Sequence, residues 1–304
     1  MTFLNLIRWK NLLMIAIVQL LVKYALLEPF GAQTSLNGLG IFLLILSTIS
    51  IATAGNIIND IYDIETDKIN KPHLVNVGKT ISKNTAYNAF IALNVTGVAI
   101  GFYLSQHIGK PSFFSVFIII SILLYIYATY LKQTLIVGNL VISALVAMSL
   151  IIVGVFELLP ALTPSNQPTQ ILFFKIILDY ALFAFAINLL REIAKDIEDI
   201  DGDYDSGMST LPIVLGRTRT KNILAVLNFL PLVGIIYYLN SNFYKQPIAV
   251  GYFLLFVLAP LIYITIKTIG AKTKKDFGHL STMYKIVMCF GMLSLLLYKY
   301  VILN

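Results

Sequence analysis

The sequence predicts an all-α, polytopic membrane protein. Three observations carry this: 58% of the 304 residues are hydrophobic and only 12% charged; apolar runs of roughly 20 residues, the length that crosses a bilayer core, recur from end to end; and the basic residues fall in alternate connections between those runs. No soluble block interrupts the pattern, so the chain reads as one membrane domain over residues 1–304. A single cysteine, Cys289, and three scattered histidines exclude a disulfide framework and a zinc site. The net charge of +7 has a topological cause, and no basic stretch with interleaved aromatics suggests nucleic acid.

In chain order the expected spans are 11–29, 38–62, 84–106, 112–131, 134–157, 171–194, 221–240, 247–267 and 282–302. The first follows Arg8 and Lys10 but lacks a small-residue cleavage site before Glu28, so it is read as a retained span and not a signal peptide. Lys68, Lys71, Lys79 and Lys83 follow the second span, Lys132 the fourth, Lys195, Arg217 and Arg219 the sixth, and Lys272, Lys274 and Lys275 the eighth. The other connections hold only Lys110 and Lys245, which by the positive-inside rule puts the amino terminus and the basic set in the cytoplasm. The expected location is therefore the cytoplasmic membrane. The Pro/Ser/Thr-rich stretch 158–170 reads as an external loop.

Eleven of the fifteen acidic residues lie in two windows, Asp60 to Asp67 and Glu192 to Asp205, both at cytoplasmic span ends. Asn56, Asp60, Asp63 and Asp67 have the same mutual spacing as Glu192, Asp196, Asp199 and Asp203, with isoleucine after the first two aspartates of each set. On a continuous helix, at about 100° per residue, these offsets share one face. Gly202 suggests that the second helix stops before Asp203. Carboxylates so crowded at a low-dielectric mouth repel one another unless cations neutralise them. Oxygen-only ligands select a hard cation, and magnesium is the usual one where phosphate completes the shell. Lys68, Lys71, Arg191 and Lys195 suit the anionic side of such a complex, and Asn56 and Asn188 are expected to face an internal cavity.

A solvated helix end would explain one such motif; a matched pair at one membrane face it explains poorly. A cation-coupled transporter built from two halves is the alternative of another class, although the acids sit at helix ends and not at mid-span. A membrane scaffold would leave the aspartates dispensable.

"NDIYDIETD" followed by "KINKP", together with "REIAKDIEDIDGDYDSGMSTLPIVLG", resembles the UbiA superfamily of intramembrane prenyltransferases. The likeness extends to "IRWKN" (Arg8, Asn11) and "YLKQTLIVGN" (Lys132, Asn139) and covers nearly the whole chain. It implies about nine helices around a central cavity with a cytoplasmic cap. It also implies magnesium-dependent transfer of an isoprenoid from its diphosphate to a hydrophobic or amphipathic acceptor, with no obligatory protein partner. By motif position, Asn59, Asp60, Asp63 and Asp67 would form one magnesium-diphosphate site and Asp196, Asp199 and Asp203 the other, with Asn56 and Glu192 one turn further in. Lys68, Lys71 and Lys195 would add positive charge around the diphosphate, and Lys132 is a further substrate-binding candidate. Tyr62, Tyr87, Tyr125, Tyr127 and Tyr130 are candidates for an aromatic lining, with packing or an interfacial belt as the plainer role for most.

The motifs look most like the geranylgeranylglyceryl-phosphate geranylgeranyltransferase branch. That branch continues with a second Arg-Pro and a Pro-Ser-Gly; here Leu74 and Val75 stand at the former, and Gly78 and Lys79 replace Ser-Gly. Lys79 and His73 are the candidates for restoring the charge an anionic acceptor needs. Without them, an aromatic acceptor such as a hydroxybenzoate or naphthoate of quinone biosynthesis is the alternative.

Overall fold

The computed structural model describes residues 6–72 and 75–299. Among the described residues, nine helices are long and apolar enough to cross a membrane. In chain order the elements are α1 (Trp9–Phe30), α2 (Gly38–Tyr62), the short α3 (Ile64–Asn70), α4 (Lys83–His107), α5 (Pro111–Thr129), α6 (Val137–Leu158) and α7 (Gln167–Glu198). They continue with the short α8 (Ile200–Asp205) and α9 (Leu211–Leu215), then α10 (Arg217–Asn242), α11 (Pro247–Gly270) and α12 (Lys274–Leu297).

Helix starts follow local chemistry. Asn37 Oδ1 accepts the Gly40 amide at 2.8 Å, and Ser82 caps α4 through the Thr85 amide. The last span begins well before the expected residue 282. Thr273 and Asp276 form a reciprocal capping box, which starts α12 inside the charged segment that hydropathy reads as a loop. Likewise α7 runs past residue 194 into the second acidic window.

The helices close a ring: α2 packs on α1, α4 and α5, α6 on α5 and α7, and α12 bridges α7 and α1. α10 and α11 complete the wall beside α7 and α12. Without a hydrophobic drive between helices in lipid, close contact depends on small residues. At Gly97 a Cβ would stand 3.0 Å from the Ser47 carbonyl oxygen, and Ser47 Oγ donates to the Gly97 carbonyl at 2.6 Å. The outward faces carry exposed Leu, Ile, Val and Phe, such as Leu182, Val226 and Ile266, as a lipid-facing surface requires.

One ion pair is wholly buried at the ring's far end from the acidic windows. Lys23 Nζ donates to Glu157 Oε1 at 2.7 Å and to the Leu36 carbonyl at 2.5 Å, while Glu157 Oε2 accepts the Leu36 amide at 3.0 Å. Lys23 sits in a π-helical stretch of α1, Val22–Leu27. This pair ties α1, the α1–α2 connection and α6 together, so the bundle is pinned at the end where it carries no acidic motif.

Candidate active site

The internal repeat of the sequence is also a repeat of conformation. α2 ends at Tyr62 and α3 begins at Ile64, with Asp63 between them at φ −88°, ψ 1°; α7 ends at Glu198 and α8 begins at Ile200, with Asp199 at φ −97°, ψ 7°. Both helices therefore kink at the same motif position. The amide bonds continue across each kink, from Asp63 to the Asn59 carbonyl at 2.9 Å and from Asp199 to the Lys195 carbonyl at 2.8 Å. This corrects the single straight face expected from spacing: Asp67 and Asp203 lie on separate short helices beyond the bends. Gly202 does not end a helix. It lies inside α8, where a Cβ would stand 2.8 Å from the Thr66 carbonyl oxygen and 2.6 Å from Asn70 Nδ2, so its missing side chain lets α8 press against α3. Asn70 locks that contact, donating to the Asp199 carbonyl at 2.8 Å and accepting the Gly202 amide at 3.1 Å. With α9, these short helices cap the acid-bearing end.

Beneath the cap lies a cavity of about 900 Å³, at the upper end of the roughly 300–1,000 Å³ usual for small-molecule sites. All six motif aspartates, Asp60, Asp63, Asp67, Asp196, Asp199 and Asp203, line it. Asn56, Asn59, Lys71, Lys132 and Asn188 line it too, as do Arg191, Glu192 and Lys195. Two further polar side chains line the cavity and hold motif acids: Arg8 pairs with Asp60 at 2.8 Å, and Asn139 donates to Asp196 Oδ2 at 2.7 Å. Their signal was their place in the family-like strings, without a spacing that ties them to an acid.

Each kink residue meets a lysine. Lys132 pairs with Asp63, which also accepts from Asn59, and Lys71 from the first motif reaches across to Asp199 of the second at 2.5 Å. Burial alone would lower the Lys71 ammonium; its pairing with Asp199 outweighs that and holds it above the ordinary value. Burial, with the neighbouring Asp63 carboxylate second, pushes Asp67 up to about 6. Burial, with Asp199 second, pushes Asp203 up to about 7.

Two expectations need correction. Lys68 does not reach the cavity: it pairs with Glu65 one turn away at 2.8 Å on the outer side of α3. Lys79 is exposed and donates to the Pro72 carbonyl at 3.0 Å, so it does not replace the missing arginine within the cavity; His73 lies outside the described residues. Most of the five tyrosines take the plainer role expected of them: Tyr62, Tyr125 and Tyr130 are exposed, Tyr87 packs beside the small apolar cluster of Ile57, Ile61 and Ala128, and Tyr127 alone of the five lines the cavity.

The donor set also qualifies the metal expectation. Among the described residues no three His, Cys, Asp or Glu side chains converge closely enough to hold an ion by themselves, because most of the acids are drawn to lysine, arginine or asparagine partners. Magnesium, however, is commonly bound by one or two carboxylates with waters and substrate phosphates. Oxygen acceptors suited to that role are present: Asp199 Oδ1 is buried without a hydrogen-bond partner, and among the described residues no cation pairs with Asp67 or Asp203. The residues fit a magnesium ion that arrives with a diphosphate.

Asp67 and Asp203 give a pH expectation for the metal-free protein. A carboxyl whose folded pKa is raised binds its proton more tightly in the native state, so stability is greatest at low pH and falls as pH rises from the unfolded value of 3.8 through about 6 and about 7. Thermal unfolding in detergent should therefore be several degrees higher at pH 5 than at pH 8, and magnesium with diphosphate should narrow the gap. A midpoint that rises steadily with pH would contradict these environments.

A ring of spanning helices around a capped cavity, with carboxylates and cations interleaved at one end, defines an integral membrane enzyme that handles a charged ligand within the bilayer. The chain belongs to the UbiA prenyltransferase family, whose sequence profile matches residues 17–298. It is 32% identical over 261 residues to a digeranylgeranylglyceryl phosphate synthase of Korarchaeum cryptofilum, covering 81% of each chain. Its fold matches a solved digeranylgeranylglyceryl phosphate synthase at TM-score 0.61, with 24% identity over 98% of this chain and 97% of that one. It also matches a UbiA homologue from Archaeoglobus fulgidus, solved with GPP and Mg2+, at TM-score 0.57, with 16% identity over 97% and 99%.

Proposed function

We propose that this prenyltransferase moves an isoprenoid chain, geranylgeranyl in the first instance, from its diphosphate to a geranylgeranylglyceryl-phosphate-like acceptor. The observation that carries the reading is the pair of kinked acidic helices whose aspartates, each kink held by a lysine, face one cavity. The names of the relatives support the glyceryl phosphate acceptor over an aromatic one. The acid-bearing end faces the cytoplasm of the cytoplasmic membrane, as the distribution of lysine and arginine supports.

Asp60, Asp63 and Asp67 from one motif and Asp196, Asp199 and Asp203 from the other would hold magnesium together with the substrate's phosphates. When bound, the metal supplies Lewis-acid stabilisation of the charge that develops on the departing diphosphate. Lys71 and Lys132 sit at the kinks where that charge collects and contribute in the same direction. Asn56, Asn59 and Asn188 offer neutral polar contacts around it. The isoprenoid tail lies along the apolar wall, which includes Ile15, Phe117, Leu124, Leu145 and Met288. As the carbon–oxygen bond to diphosphate breaks, the allylic carbon becomes cation-like; the acceptor hydroxyl forms the new bond and its proton leaves. Tyr127 lines the same cavity, and its aromatic ring would stabilise that charge. The helix ring and cap exclude water that would otherwise trap the cation.

The test is diphosphate release from geranylgeranyl diphosphate by purified protein, with and without magnesium, against geranylgeranylglyceryl phosphate, 4-hydroxybenzoate or no acceptor. The expected result is magnesium-dependent release coupled to the phosphorylated acceptor, with the diether product identified by mass. Coupling only to hydroxybenzoate would move the protein to the aromatic branch. Absence of release in every arm, with cation-driven uptake instead, would favour a carrier.

A further inference from the structure

Lys285 lies in the middle of α12, within an apolar run, and lines the same cavity. An ionisable group at such a depth is costly unless it serves a ligand or a partner. Among the described residues Lys285 has no ion pair or hydrogen bond of its own. Its electrostatic neighbours are mostly of its own sign, namely Arg191, Lys195 and Arg8, with Glu192 opposing them. Arg8 is already matched by Asp60. Glu192 is shared between Arg191 at 2.5 Å and Lys195 at 2.9 Å, and one further donor, Arg191 Nε, is buried with no acceptor. Arg191, Lys195 and Lys285 carry three positive charges; Glu192 pairs with the first two, and Asp196, Asp203 and Glu198 also act on Lys195, so the cationic excess is centred on Arg191 and Lys285.

A phosphate monoester at neutral pH carries about −1.5 to −2 and three strong acceptor oxygens, which matches that excess; an aromatic carboxylate carries half as much. Arg191 precedes Asp196 by five residues, about 7.5 Å along α7 at the helical rise of 1.5 Å per residue. Arg191 therefore stands more than a turn deeper along α7 than Asp196, and Lys195, beside Asp196, joins that position to the acidic motif. We propose that Arg191, Lys195 and Lys285 bind the acceptor's phosphate, and that Lys285 sets the preference for a dianionic acceptor. This inference rests on the acceptor class proposed above, and it locates the missing positive charge on the ninth span instead of in the loop that carries Lys79.

The experiment compares wild type, Lys285→Gln and Lys285→Arg with geranylgeranylglyceryl phosphate and with geranylgeranylglycerol, its counterpart lacking phosphate. Lys285→Gln should raise KM for the phosphorylated acceptor by about ten- to a hundredfold, as loss of a charged hydrogen bond does. The shift in KM for the prenyl diphosphate should be much smaller, and Lys285→Arg should recover most of the loss. Because the glutamine variant removes an unpaired cation, its thermal midpoint should be no lower than that of wild type, which separates a binding role from a structural one. Wild-type turnover of the phosphorylated acceptor with an unchanged acceptor KM in Lys285→Gln would overturn the phosphate site alone. A larger rise in KM for the diphosphate would assign Lys285 to the other substrate and overturn it equally. Wild-type turnover of only uncharged or aromatic acceptors would overturn the acceptor class and the phosphate site together.

Discussion

Asp63→Ala and Asp199→Ala should each reduce turnover by roughly 10²–10³-fold or more, the scale of losing an electrostatic group aimed at developing charge. Each residue does two things at once. It presents carboxylate oxygen to the cavity at a helix kink, and it holds a lysine, Lys132 or Lys71, that also lines the cavity. On the proposed reading, removal takes away a carboxylate that would hold magnesium and frees a cation to wander or to occupy the diphosphate site. The conservative variants Asp63→Asn and Asp199→Asn separate these effects, since an amide keeps an oxygen acceptor but not the charge. If charge is what matters, they should be nearly as inactive as alanine. The double variant should be little worse than either single one, because residues acting as one unit are not additive. Turnover would be measured on protein that elutes as a single species in detergent with wild-type helicity. Full activity in either alanine variant would sink the two-motif site.

The spans were legible because hydropathy over a bilayer-length window is a strong signal, and every expected span overlaps an observed one. The boundaries that moved did so for local reasons, such as the Thr273–Asp276 capping box that carries α12 into a charged segment. The repeated acidic spacing correctly pointed both motifs at one end, but not the kinks. Neither Asp63 nor Asp199 is flanked by proline or glycine, and the backbone hydrogen bonds run on through each bend. Lys68 and Lys71 are equivalent by composition; a turn of helix puts one against Glu65 outside and the other against Asp199 inside. Lys285 went unread for a different reason. A lone lysine in an apolar run has no spacing partner in sequence, and its cationic neighbours come from α7 and from Arg8 ahead of α1, across helix contacts.

At the opposite end, Lys23→Met should destabilise the fold by about 3–5 kcal/mol, the cost of leaving one member of a buried ion pair unpaired. Lys23 is 1% exposed and Glu157 0%, so no solvent is at hand to take over the lost partner. The Leu36 carbonyl would lose the same ammonium. Adding Glu157→Leu removes the stranded charge and should recover part of the loss, but not all of it. The Leu36 amide, which donates to Glu157 Oε2, then joins its own carbonyl as an unmatched buried group, each costing roughly 1–3 kcal/mol. Glu157→Gln alone keeps an acceptor for that amide and should fall between the two. Because this pair lies at the far end of the bundle from the kinks, the protein that remains folded should keep its KM for the prenyl diphosphate, so stability and substrate binding should part company in these variants. Thermal unfolding in detergent, scored beside turnover at a temperature well below the midpoint, reads both quantities. A loss under about 1 kcal/mol in Lys23→Met would mean that the pair is solvated in the membrane-embedded protein and behaves as a surface salt bridge does.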